Sequence, residues 1–309
     1  MSRVHDALRR AEQLGATPPP RSEPAAAAPA APVAGVEAPP QPAQQRGLVT
    51  PVTGLLEEVL EVPFTPAPEA LLIDNSRPQE APSEEFRSVR TRLNHLQTLQ
   101  PIHTVVVTSP SPAEGKSFAA ANLALAESHL ANNFTLLIDF DFRRPVVHNL
   151  FQIERAPGAT DYLLGNAKLA DCMKRVSGTN LFLMPAGTAV KNPLELLNLR
   201  EVRGLFADLR KWFNWVILDS PPLLFSADAN LLGTLADGTI LVVRIGSTTI
   251  DTVHRAMQSL CENNVLGTIV NGARAGELYS KYTYYYSKYG NESVPEPDED
   301  AGGEEAKEE

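Results

Sequence analysis

The sequence predicts an α/β protein built on a doubly wound, mostly parallel sheet, and two observations carry that expectation. Short β-rich runs (residues 103–108, 134–139, 181–184, 215–219, 238–244 and 265–271) alternate with helical stretches (116–131, 200–212, 228–235 and 249–263). Alternation of this kind implies right-handed crossovers and a parallel sheet. The strand candidates are also apolar nearly throughout instead of at every second position, which suits strands covered on both faces. Ligands in such sheets bind at the carboxyl ends of the strands.

Taken in order, residues 1–14 place Val4, Ala7, Leu8, Ala11 and Leu14 at helical spacing, with Arg3, Arg9, Arg10 and Glu12 elsewhere round the wheel. A helix this short is barely stable alone, so it reads as a piece for docking on a partner. Residues 15–46 are rich in Pro and Ala with few large apolar side chains, and are expected to form an extended, disordered spacer. In residues 48–78, small apolar clusters (Leu55 and Leu56, Val59 and Leu60, Leu71 to Ile73) are broken by prolines, and this segment is expected to lie along the domain surface at most. Residues 15–82 together read as a linker. The folded domain is expected at 83–277, opening with a helix from Ser83 to about Leu99 that carries Glu84 and Glu85 in its first turn, where the dipole favours anions.

Residues 105–122 read VVVTSPSPAEGKSFAAAN: an apolar run, a turn rich in Pro and Ser, then Gly115, Lys116 and Ser117 opening an alanine-rich helix. A strand that feeds a helix through a turn aims backbone N–H groups and the positive end of the helix dipole at one point, where a triphosphate can sit. Lys116 would then reach the β/γ-phosphates and the Ser117 hydroxyl would ligate Mg²⁺. The pattern departs from the usual loop in having Pro110 where Gly is expected, and on these residues alone a serine-capped helix start stands equally well.

The acids at two later strand ends decide between them. FTLLIDFDFRR delivers Asp139 at the end of an apolar run and then Asp141, Arg143 and Arg144; WVILDSPP delivers Asp219. A cation on nucleotide phosphates takes hard oxygen ligands, one or two of them carboxylates. Asp219 has the place of a metal ligand, and Asp139 is positioned to hold a metal-bound water or to accept a proton from an attacking hydroxyl. Either acid alone would read as a turn cap. Asn271, closing GTIVN, could reach an adenine edge or simply form the turn before Gly272.

The totals exclude several classes. A net charge of −10 argues against general nucleic-acid affinity. Cys172 and Cys261 lack ligand spacing and read as small buried side chains in a reducing compartment. No apolar stretch of transmembrane length and no signal peptide is present, so a cytoplasmic chain is expected, linked to a membrane only through a partner.

From about Glu84 to Tyr289 the sequence resembles the cytoplasmic domain of the bacterial tyrosine autokinases of capsule and exopolysaccharide synthesis, within the Min/Par-like deviant Walker branch of the P-loop NTPases. The resemblance rests on Gly115-Lys116-Ser117, on the apolar run and DxDxR of residues 136–143, on LDSPP at 218–222, on NPLELL at 192–197 and on Ala236-Asp237-Gly238. It implies ATP and Mg²⁺ as cofactors, nucleotide contacts from Ala113, Glu114, Gly115, Lys116, Ser117, Phe118 and Asn271, metal contacts from Ser117, Asp139 and Asp219, and catalytic roles for Lys116, Asp139, Asp141 and Asp219. Glu84, Arg87 and Arg90 match an ExxRxxR ring-forming motif. Tyr279, Tyr282, Tyr284, Tyr285, Tyr286 and Tyr289 crowd residues 278–290, whereas the rest of the chain has only Tyr162, and they match the phosphoacceptor cluster modified on a neighbouring subunit. The implied partners are a membrane-embedded chain-length determinant that anchors and activates, met through the 118–130 helix face or the N-terminal helix, further copies of the chain in a ring, and a tyrosine phosphatase.

Two features depart from the family. Ala113 stands where Gly is usual, which is costly if φ must be positive there. The tyrosines are followed by an acidic tail, residues 291–309, expected to be disordered. Two other readings remain open at this stage. A Min/Par-type positioning ATPase would carry a signature lysine five residues before Lys116, where this chain has Ser111. A catalytically weak ATP-binding scaffold of a polysaccharide export complex is kept open by Ala113.

Overall fold

A computed structural model describes residues 54–73, 82–197, 200–260 and 265–273. The N-terminal helix, the spacer, the tyrosine cluster, the acidic tail and Cys261 lie outside the described residues. Eight strands form one sheet: β1 (Leu60–Val62), β2 (Thr104–Thr108), β3 (Thr135–Asp139), β4 (Lys174–Val176), β5 (Leu181–Met184), β6 (Trp215–Asp219), β7 (Gly238–Arg244) and β8 (Val265–Asn271). Their order is β1-β4-β5-β3-β6-β2-β7-β8, and every neighbouring pair is parallel except β4 with β5.

The central strands β2, β3 and β6 are buried at every residue. Their side chains alternate between two cores: Val106, Leu136, Ile138, Val216 and Leu218 face one, Val105, Val107, Leu137 and Ile217 the other. Burying a Val, Leu or Ile side chain is worth about 1.5–3 kcal/mol, so the all-apolar runs are what two-sided burial selects. The consequence for function is register. Asp139 pairs with Asp219 across β3 and β6, and Val107 pairs with Asp219 across β2 and β6, so three strand ends finish side by side.

Helix α1 (Ser83–Leu99) packs on helix α2 (Lys116–Ser128), with Phe86 and Phe118 meeting edge to face at 5.9 Å. Ala119, Ala120, Ala121, Ala124 and Ala126 let α2 lie between α1 and the sheet, and every residue from Ala119 to Ser128 is buried. The 118–130 segment therefore offers almost no open face to a partner, contrary to expectation; α1 already covers it. Short helices at α3 (Val147–Leu150), α4 (Ala159–Leu163) and α5 (Pro193–Leu197) follow, then α6 (Arg200–Leu209), α7 (Ala227–Leu235) and α8 (Ile250–Ser259).

Residues 54–73 are more than a surface trace, which corrects the expectation for 48–78. Leu60–Val62 adds a strand beside β4, while Ala70, Leu72 and Ile73 are buried against the α2 side of the sheet. The tie is polar: the Ile73 N–H donates to Asn122 Oδ1 at 2.7 Å, and Asn122 Nδ2 donates to the Phe118 carbonyl. Asn122→Ala leaves a buried N–H without a partner and is expected to lower stability by about 1–3 kcal/mol, measured by urea denaturation.

A second buried polar group sits where α1 crosses the end of α2. Glu127 Oε2 accepts from Asn94 Nδ2 and Asn133 Nδ2, both at 2.9 Å, while Oε1 is buried with no hydrogen-bond partner. Asn94 also accepts from the Trp215 indole N–H at 3.2 Å. Burial pushes the Glu127 carboxyl from 4.5 to about 7, the two amides and the nearby Arg90 opposing the rise. Because the folded value is raised, this contribution to stability is fully present below the unfolded value and is lost as pH rises through about 7. The melting temperature is expected to fall between pH 5 and 8 more steeply in the natural chain than in Glu127→Gln, and equal slopes would remove Glu127 from the account.

Candidate active site

The turn from β2 into α2 is shaped by contacts from the far side of the sheet. Gly115 adopts φ +96°, and a Cβ there would lie 1.9 Å from Asn271 Nδ2, so both its conformation and its surroundings exclude a side chain. Asn271 Nδ2 donates to the Glu114 carbonyl at 3.0 Å, and its Oδ1 accepts from the Gly272 N–H at 2.8 Å. The amide is thus spent on clamping the loop to the end of β8. Glu114 is only 2% exposed and turns inward: one oxygen accepts from the Ser111 N–H at 2.9 Å, the other from the Thr248 hydroxyl. Arg244 Nη1 donates to the Ala113 carbonyl at 3.0 Å. Ala113 has φ +63°, so the position does demand the left-handed region, and alanine bears the strain.

Within this frame Lys116 meets the acids. Its Nζ lies 2.9 Å from Asp141 Oδ2, 3.4 Å from Asp219 Oδ1 and 3.1 Å from Ser117 Oγ. Burial alone would favour the neutral amine, but Asp219 and Asp141 reverse that and raise its pKa, so the ammonium is held charged. Burial pushes the Asp219 carboxyl up while Lys116 pulls it down, and Asp219 Oδ2 is buried without a hydrogen-bond partner.

Asp139 is engaged by backbone donors on both oxygens. Its Oδ2 accepts from the Val146 and Val147 N–H groups at 2.9 and 3.0 Å, and its Oδ1 from the Asp141 N–H at 3.1 Å. It caps the loop that carries Asp141, and burial together with the Asp219 charge lifts its pKa to about 8. Asp141 is the carboxylate that faces the open cleft.

That cleft, about 580 Å³, runs from Gly115, Lys116 and Ser117 past Asp141 and Arg144 to Phe225, which is 68% exposed. Arg143 also lines it, its guanidinium tied to Asp228 by a two-point contact at 2.9 and 3.4 Å. Arg144 makes no ion pair among the described residues. Of the residues expected at the nucleotide, the structure brings Ala113, Gly115, Lys116, Ser117 and Phe118 to the cleft, while Glu114 and Asn271 stand behind the loop. Sequence reasoning missed Arg244 at the end of β7, Thr248 just beyond it and Asp228 in the first turn of α7, which are remote from the loop in sequence and form no local pattern with it.

The ExxRxxR residues lie apart, on α1. Arg87 pairs with Glu84 at 3.1 Å, and Arg90 Nη1 donates to the Ala126 carbonyl at 2.9 Å, at the carboxyl end of α2. The phosphoacceptor tyrosines lie outside the described residues.

Comparison with known proteins completes the description. No family model matches the chain. It is, however, 34% identical over 219 residues to the tyrosine-protein kinase YwqD of Bacillus subtilis, covering 70% of this chain and 92% of that protein. The chain belongs to the bacterial tyrosine-protein kinases. Within that family it is 31% identical over 228 residues to the tyrosine-protein kinase wzc of Salmonella typhimurium, of which it spans only 32%. The solved kinase domain of the Escherichia coli tyrosine kinase ETK superposes with a TM-score of 0.61 at 31% identity, covering 67% of this chain and 82% of that one. The fold is therefore that of the kinase domain of this family.

Within this bacterial tyrosine kinase, Ala113→Gly removes the strain of a left-handed alanine but frees the unfolded backbone. The net is a gain of about 1 kcal/mol or less, with nucleotide affinity unchanged or tighter; thermal denaturation and nucleotide titration check the two halves.

Proposed function

We propose that this chain is an ATP-dependent protein-tyrosine autokinase that transfers the γ-phosphoryl group of ATP to the tyrosines of residues 278–290 on a neighbouring copy. The observation that supports this most directly is Lys116, charged, buried and paired with Asp141 and Asp219 at the start of α2, in a chain of the tyrosine-kinase family. One ammonium contacts two acids, Asp141 and Asp219, and the excess negative charge of that pair is what a divalent cation would balance. Asp219 Oδ2, buried and unpartnered, and the Ser117 hydroxyl fit such a cation. Among the described residues no cluster of three or more His, Cys, Asp or Glu side chains would hold a metal by itself, so phosphate oxygens would complete the set. Mg²⁺, when bound, neutralises charge on the β- and γ-phosphates.

The chain's own residues do the rest. Lys116 exchanges Asp141 for phosphate oxygens as nucleotide enters, and the loop amides and helix dipole stabilise charge on the transferred group. Asp141, released, accepts the phenolic proton as the tyrosine oxygen bonds to the γ-phosphorus and ADP departs. Asp139 keeps that carboxylate in place.

The same reading assigns Glu84, Arg87 and Arg90 to a ring-like assembly of copies, with the 83–277 domain as its unit and the acidic tail beyond the tyrosines. Phosphorylation of the tyrosines adds negative charge and loosens that ring. The cellular role is regulation of exopolysaccharide or capsule chain length and export, opposed by a tyrosine phosphatase. No helix among the described residues is long and apolar enough to cross a membrane. From its kinship with the tyrosine-protein kinases, we place the chain on the cytoplasmic side, held at the membrane by a chain-length-determinant partner that also activates it. The strained Ala113 is the one observation favouring a weak ATP-binding scaffold instead.

An anti-phosphotyrosine blot after incubation with Mg-ATP, with and without the partner's cytoplasmic segment, separates the two. Phosphotyrosine is expected in the natural chain and absent in Lys116→Met and on deletion of residues 279–289. ATP binding with no phosphotyrosine, even with the activator, would establish the scaffold.

A further inference from the structure

At the edge of the sheet opposite the phosphate loop, helix α6 presents a basic stripe. Arg200, Arg203, Ala207 and Arg210 follow one another at spacings of three, four and three residues, which places them on one helix face. Arg203, Ala207 and Arg210 line a cleft of about 370 Å³ closed on the other side by Thr234 and Leu235 of α7, with Phe206 as its apolar floor. Arg210 is pre-set: its Nη2 lies 2.7 Å from Asp237 Oδ1, and Asp237 Oδ2 is fixed by the His103 and Thr104 N–H groups at 2.9 and 2.8 Å. Arg200 and Arg203 are exposed and make no ion pair or hydrogen bond among the described residues. Of the acids nearby, Asp237 is engaged by Arg210 and Asp208 by Lys211 at 2.7 Å, while Glu201, exposed on the same helix, falls one residue off the stripe. A cationic cleft on a chain of net charge −10 calls for an anionic occupant.

The chain carries one. Residues 291–309 hold nine acidic side chains against Lys307 alone, a net −8 within the total of −10. The described chain ends at Ala273, just past β8. The roughly 20 residues from Asn271 to Asn291 can span about 60 Å when extended, more than the breadth of a domain this size, about 40–45 Å. We infer that the acidic tail, residues 291–309, seats on the Arg200–Arg203–Arg210 stripe of its own chain. The tyrosine cluster is then a span tied at both ends, at β8 and at α6. The inference stands whether or not those tyrosines are phosphorylated.

The test uses the full chain with a dansyl group attached after Glu309 and excited through the two tryptophans, Trp212 and Trp215, which lie two and five residues beyond Arg210. Energy transfer is expected at low salt, falling by about threefold or more when the ionic strength is raised to about 0.5 M. The same loss is expected at low salt in Arg200→Glu/Arg203→Glu, with an unchanged circular dichroism melt showing that the fold is intact. Transfer that is equally weak in all samples, or unaffected by the double substitution, overturns the inference. Transfer that disappears on dilution also overturns it and assigns the cleft to the tail of a second copy. If the two arginines govern retention on phosphatidylglycerol vesicles but not transfer, the occupant is an anionic lipid surface and the tail is excluded.

Discussion

The ion pairs of Lys116 with Asp141 and Asp219 are what the remainder of the structure is arranged to hold. An ammonium buried this deeply survives only with carboxylates beside it, and carboxylates buried this deeply survive only with a cation. The register of β2, β3 and β6 places the groups, and the loop contacts around them keep them oriented at the floor of the cleft. Asp139 shows how far this goes: an acid at a strand end is consumed in fixing the loop of another acid.

The phosphate loop is held from behind as firmly as it is open in front. Glu114, Thr248, Arg244 and Asn271 connect it to the ends of β7 and β8, and so to the strand that precedes the tyrosine segment. A loop clamped in this way presents its amides without reorganisation when a phosphate arrives, which is where electrostatic stabilisation is most effective. The alanine at position 113 departs from that economy, since its left-handed backbone is imposed by the clamps on either side.

Much of this was legible beforehand, and the reason lies in the kind of signal. Leu181–Met184 and Trp215–Asp219 occupy the residues their apolar runs predict because two-sided burial leaves no freedom in composition, and Gly238–Arg244 does so over its first five residues; Val265–Asn271, a sheet-edge strand with no fully buried residue, also falls where its β-rich run predicts. Lys174–Val176 is invisible in the same way that it is marginal: three residues, two of them basic, pairing antiparallel at the edge of β5. Leu60–Val62 escaped because prolines surround it, although its partner strand supplies what its own sequence lacks. At the site, Gly115, Lys116 and Ser117 and the acids of two strand ends were readable as a constellation. Which acid faces the cleft was not, because hydrogen bonds from Val146 and Val147 decide it and those residues carry no pattern. The inward turn of Glu114 depended likewise on Thr248, more than a hundred residues away.

The packing of Gly115 against Asn271 carries a lesson for anyone comparing variants of this chain. The space a methyl group at 115 would need is occupied by the side-chain amide at 271, so the effects of the two positions cannot be added. A change at one alters the allowed set at the other, and a substitution that is ruinous in one background becomes tolerable where the amide has been shortened. The backbone angle at 115 limits that rescue, since no change at 271 removes the preference for glycine in the left-handed region. Steric and conformational demands at a single residue are thereby separable, one transferable to a distant strand and the other not.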